Sequence, residues 1–146
     1  MTQEDKELLL KDLCARLPYG VMVGYSGKDD PGTLDKMGKV IYVDIRFGMI
    51  QMQSESGISY GLPPSEFIKP YLRPMSSMTE EEKHELLRFG TVSLDKDSNT
   101  IDVCCVGFWN HAKVQDYLNS IHIDYRGLIP KGLAIEVIEE NNPYKE

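Results

Sequence analysis

Apolar residues recur along the start of the chain with the period of a helix. Leu10, Leu13, Cys14 and Leu17 fall at i, i+3, i+4 and i+7, and Leu9 widens that stripe. Thr2 is placed to cap the helix, Glu4 and Asp5 suit its positive end, and Pro18 stops it. From Gly20 the period drops to two. "GVMVGYS" alternates, with Val21, Val23 and Tyr25 on one side. "KVIYVDIRF" sets Val40, Tyr42 and Asp44 against Ile41, Val43 and Ile45. "MIQMQ" and "GISYGL" follow, split by the polar turn "SESG", and Pro63-Pro64 closes the run. "KDDPGTLDKMG" reads as a polar loop around Pro31-Gly32, and the proline-bounded "EFIKPYLRP" as a turn plus an edge strand.

Helical signals return after Met75. Thr79 and Glu82 have capping-box spacing, Gly90 is a stop signal, and the sparse apolar content of "SSMTEEEKHELLRFG" predicts a surface helix. "TIDVCCVGF" is β-branched and extended. Asn110 is placed to cap a helix over about 111–120 with Val114, Tyr117, Leu118 and Ile121 on its buried face. "GLAIEVI" suits a strand or a short docked helix, and "EENNPYKE" a frayed tail. The pattern predicts an α+β chain forming a single domain over 1–146. It comprises an N-terminal helix (1–18), a small antiparallel β-sheet or barrel (19–75) and a C-terminal helical or mixed half (76–146) packed on it. In strand count the middle part resembles the five-stranded barrels of Src-homology and Tudor-type modules, a likeness that carries no function.

Composition narrows the choice of partner. A chain of 146 residues buries about 68–70% of its unfolded surface, enough to fold without metal or disulfide. The net charge of −7 repels phosphate backbones, which argues for a protein partner and against direct nucleic-acid binding. Three cysteines, Cys14, Cys104 and Cys105, show no disulfide-framework spacing. The acidic N-terminus lacks the basic start of a signal peptide, and no apolar run approaches the ~20 residues of a membrane span. The expected setting is cytoplasmic and away from membranes.

The reactive residue types form no complete signature. In "GLIPKGLA", Gly127 and Gly132 have the spacing of a phosphate loop, but Leu133 and Ala134 stand at its Lys and Ser/Thr positions. Lys131 precedes the second glycine and Pro130 removes a backbone donor, so the segment reads as turns around Leu128-Ile129. No cofactor is implied. His84, Cys104, Cys105, His111 and His122 lack paired metal-ligand spacing, and adjacent strand cysteines face opposite ways. A cysteine- or metal-dependent hydrolase would draw on Cys105, His111 and Asp124, with Asp102 or Asp116 as other acids. It would do so without a nucleophile elbow or a helix start behind either cysteine. Asp124 and Arg126, two apart on an extended segment, share a face and suit an ion pair or cap, with Arg126 also a candidate ligand-binding arginine. Tyr25, Tyr42 and Tyr60, if they face outward together, would line a groove for an extended peptide. The plainer alternative is that they roof the sheet.

"LCARLPYGV" (13–21), "IKPYLRPMSSMTEEE" (68–82) and "DYRGLIPKGLA" (124–134) together resemble a group of small uncharacterised proteins of gut anaerobic bacteria and their phages or mobile elements. The resemblance implies a bacterial or phage cytoplasmic setting and carries over no catalytic or binding residue. The leading expectation is a non-enzymatic protein-binding accessory factor, engaging its partner through the tyrosine-bearing sheet or the acidic helix after Met78. The alternatives are the small hydrolase above and a self-associating structural protein.

Overall fold

A computed structural model describes residues 1–26, 33–89, 91–95, 100–104 and 108–145, with backbone alone over 91–95, 100–104 and 108–110. Thr2 opens α1 (Gln3–Arg16) with a reciprocal cap. The Thr2 hydroxyl accepts from the Asp5 amide, and the Asp5 carboxylate accepts from the Thr2 amide. The buried face of α1 is Leu9, Asp12, Leu13 and Arg16. That is the expected spacing, displaced by one residue from the predicted stripe; Leu10, Cys14 and Leu17 are only half-buried. The displacement arises because Asp12 and Arg16 bury as a pair, with Arg16 Nε 2.8 Å from Asp12. A hydrophobicity pattern assigns both to solvent.

β1 (Met22–Tyr25), β2 (Lys36–Asp44), β3 (Met49–Ser54) and β4 (Ser59–Leu62) run up and down as antiparallel neighbours. β5 (Ile68–Leu72) returns antiparallel beside β1. β8 (Ile135–Glu136) adds a parallel sixth strand on β5, so the order is β4-β3-β2-β1-β5-β8. The architecture is therefore α+β, with a mixed and open sheet where a closed antiparallel barrel was one expectation. β5 lies between two strands and is not the predicted edge. Pro70 is tolerated because β8 pairs with Tyr71 and Leu72 only, leaving the proline beyond its reach.

The C-terminal half is less helical than expected. α2 (Glu80–Leu87) carries the predicted Thr79/Glu82 capping box. A separate antiparallel hairpin, β6 (Thr91–Asp95) with β7 (Thr100–Cys104), then interrupts the helices. α3 (Phe108–Ser120) begins two residues before the predicted Asn110 cap and buries Val114, Leu118 and Asn119. It ends in a Schellman arrangement: Ile123 N donates to Leu118 O at 3.0 Å and His122 N to Asn119 O at 3.2 Å. His122 takes the left-handed position at φ 60°. The chain then runs beside the continuation of β5, where Arg73 and Ile123 form a parallel bridge.

Two apolar clusters result. One packs Leu9 and Leu13 on Val21, Val23, Val40, Ile50, Met52, Ile68 and Leu72, and is completed by Leu128, Leu133 and Ala134. The other joins Met75, Met78 and Leu86 to Val114, Leu118 and Ile123. The tail is not frayed: Val137 N donates to Leu72 O at 2.8 Å, and the half-buried Tyr144 donates its hydroxyl to Tyr71 O on β5. Among the described residues no helix is long and apolar enough to cross a membrane.

Candidate functional site

Two places concentrate polar or interactive side chains. The first is a junction between α1 and the segment that follows α3. Asp12 accepts from Arg16 Nε at 2.8 Å and from Arg126 Nη1 at 2.9 Å, while Arg16 Nη2 donates to Ile123 O at 2.8 Å. Both guanidiniums also approach the Tyr125 ring, at 5.6 Å for Arg16 and 4.5 Å for Arg126. Burial pushes the Tyr125 phenol up. Asn119 lies close enough to favour the ionised phenol, yet neither its Oδ1 nor the hydroxyl reaches full hydrogen-bond geometry. Asp124, fully buried, accepts from Leu128 N at 2.9 Å and Ile129 N at 2.8 Å, which fixes the turn that the sequence suggested around Leu128-Ile129. Arg126, the predicted ligand-binding arginine, is 15% exposed at its side chain, and its salt bridge runs to Asp12 on α1. The sequence signal for the junction was present but unread: an acid and a base four apart on α1, on a face otherwise apolar.

Behind this junction lies an open cleft of about 1030 Å³ whose floor includes Arg73, Ser120 and His122 and whose wall is the segment Val137–Lys145. Arg73 donates to both Glu82 oxygens, at 2.8 and 2.9 Å. That hydrogen bonding outweighs desolvation and holds the Glu82 carboxyl below its ordinary value. The ring of His122 stacks on Tyr144 with centroids 3.8 Å apart and planes 9° apart. Its Nδ1 is buried without a hydrogen-bond partner. Burial, assisted by the nearby Arg16 and Arg73 cations, lowers its pKa to about 4 against an opposing pull from Asp12. The Tyr144 hydroxyl accepts from Met22 N at 3.2 Å and donates to Tyr71 O at 2.8 Å. It splices β1 to β5 just past Val23 and Pro70, their last paired residues.

The second place is the hairpin of β2 and β3. The predicted tyrosine groove does not form. Tyr25 is 2% exposed, and Tyr60 packs on it with centroids 5.7 Å apart. Tyr42 is set apart by a bulge: Val40 pairs with Met52, but Tyr42 pairs with Gln51, so Ile41 is an extra residue. The extra residue turns Tyr42 away from the core face that Val40 and Met52 share. Tyr42 is then 50% exposed and Ile41 45%; beyond them Ile45 and Phe47 at the turn are 75% and 74% exposed. Asp44 pins that turn by accepting from Arg46 N at 3.0 Å and Phe47 N at 3.4 Å. The Arg46 guanidinium lies 5.3 Å from the Phe47 ring centre.

The hydrolase constellation is not assembled from its described members. His111 is exposed and meets Gln115, whereas Asp124 is fully buried with each oxygen taking a backbone amide. Cys105 and the side chains of Asp102 and Cys104 lie outside the described residues. Cys14 is half-buried and burial raises its thiol pKa, which disfavours the reactive thiolate. Among the described residues no group of three or more His, Cys, Asp or Glu side chains is arranged to hold a metal ion. Comparison with protein-family models, with curated proteins and with solved structures found no match for the chain.

Proposed function

We propose that the protein is a non-enzymatic, protein-binding accessory factor of a bacterium, phage or mobile element, and that its binding surface is the β2–β3 hairpin. The observation that carries the reading is the turn itself. Ile45 and Phe47 stand three-quarters exposed on a backbone already fixed by Asp44. Large exposed apolar side chains on one protrusion mark interaction sites, and aromatic and arginine side chains such as Tyr42, Phe47 and Arg46 are the usual anchors. A pinned turn also loses little entropy on docking. The reading moves the binding surface from the three tyrosines to this turn.

A photo-crosslinking phenylalanine analogue at position 47, irradiated in a lysate of a bacterial host, tests it. The expected result is a discrete protein adduct that is lost when Ile45 and Tyr42 are also changed to serine. Only solvent-quenched, uncrosslinked chain would overturn the reading.

A further inference from the structure

The same hairpin carries information about what covers it. Taking roughly 200 Å² for each large side chain, the exposed parts of Ile41, Tyr42, Ile45 and Phe47 present about 500 Å² of apolar surface. A standard interface takes about 800 Å² from each partner, of which about 60% is apolar. The patch therefore matches the apolar content of one half of such an interface. Residues 36–62 carry Lys36, Lys39 and Arg46 against Asp44 and Glu55, a net charge of +1, so the rest of the chain holds −8 of the total of −7. Two copies of so acidic a protein repel wherever their bodies meet. The hairpin is the region where that repulsion is weakest, because Asp44 is drawn into its own turn and a net +1 is small beside the −8 of the body. Its strands are also bound to the rest of the sheet through β1, so the patch is rigidly held.

We infer that the hairpin packs against the same hairpin of a second copy, forming a two-fold dimer with the acidic bodies held apart. The inference rests on the hairpin being the binding surface and names its occupant. A two-fold contact uses one patch twice and closes on itself, the commonest arrangement of soluble oligomers. Added salt screens the body–body repulsion and tightens a hairpin–hairpin dimer. It would weaken a contact in which Arg46 and Lys39 grip the carboxylates of a different surface.

Sedimentation velocity over a wide concentration range, at low and high sodium chloride, is the test. The expected result is a reversible monomer–dimer equilibrium that strengthens with salt. Phe47→Ser or Ile45→Ser should weaken it at least tenfold, with circular dichroism and the melting temperature of the dilute monomer unchanged because both side chains are largely in solvent there. Leu87→Ser, exposed on α2 away from the hairpin, should leave it unaltered. A monomer at the highest concentration, a dimer indifferent to both hairpin variants, or one that salt dissociates would each overturn the inference. A monomer whose position-47 crosslinker still captures another protein would sink the dimer alone. A crosslinker that captures nothing, itself included, would sink both proposals.

Discussion

His122 occupies the helix-ending position that glycine usually fills. A left-handed backbone costs a non-glycine residue roughly 1–2 kcal/mol, and here the imidazole is held by its stack on Tyr144. Its folded pKa of about 4 lies below the ordinary 6.5, so between those values the unfolded chain binds the extra proton. His122 therefore contributes in full above about pH 6.5, and the contribution falls away as pH drops toward 4, by at most about 3 kcal/mol. His122→Asn, which tolerates the same backbone, should flatten this part of a urea-midpoint-versus-pH curve. The loss tied to Glu82 should remain, confined to below its ordinary 4.5. Tyr144→Phe removes the hydroxyl that joins Met22 N to Tyr71 O. It should cost about 1–3 kcal/mol with an unchanged denaturant slope, since two backbone groups lose their partner. The sequence located His122 near a helix end. The stack could not be read, because it joins residues more than twenty positions apart through a tail whose polar composition suggests fraying.

Elements were legible in kind but not in phase. The i, i+3, i+4, i+7 spacing found α1, yet its true face turns by one residue to bury Asp12 with Arg16. Asp12→Ala leaves two arginines without their shared carboxylate, and removing one partner of a buried pair costs about 3–5 kcal/mol. Thermal unfolding of that variant should be far more affected than that of Lys83→Ala, whose exposed partner Glu80 makes a pair worth no more than about 1 kcal/mol. In β2 the strict alternation predicted Val40 and Tyr42 on one face, and the extra residue at Ile41 reverses that. Deleting Ile41 should remove the bulge and leave Tyr42 opposite Gln51 on the outer face, with Val40 and Val43 still turned inward opposite Met52 and Ile50. Ile41→Ala leaves the bulge in place and should cost less than about 1 kcal/mol at this half-exposed position. Comparing their midpoints isolates the contribution of the bulge. A local pattern cannot announce a bulge, because the pairing that creates it belongs to the neighbouring strand.

At the scale of the whole molecule, the α+β character followed from a helical period giving way to alternation and back. The open, mixed sheet did not, since β8 is two residues long and carries no periodic signature. The exposed hairpin was hidden for the opposite reason: apolar residues in a strand read as core, and only tertiary placement reveals them in solvent. The first apolar cluster draws on Leu9 and Leu13 at one end of the chain and on Leu128, Leu133 and Ala134 far along it. During synthesis those early leucines have no complete cover until position 134 has cleared the ribosome. At about 5–20 residues per second, that is a wait of roughly 6–25 s. For that time the nascent chain displays an unfinished, sticky sheet, so its yield in the cell should depend on the supply of ribosome-associated chaperones more than its final stability would suggest.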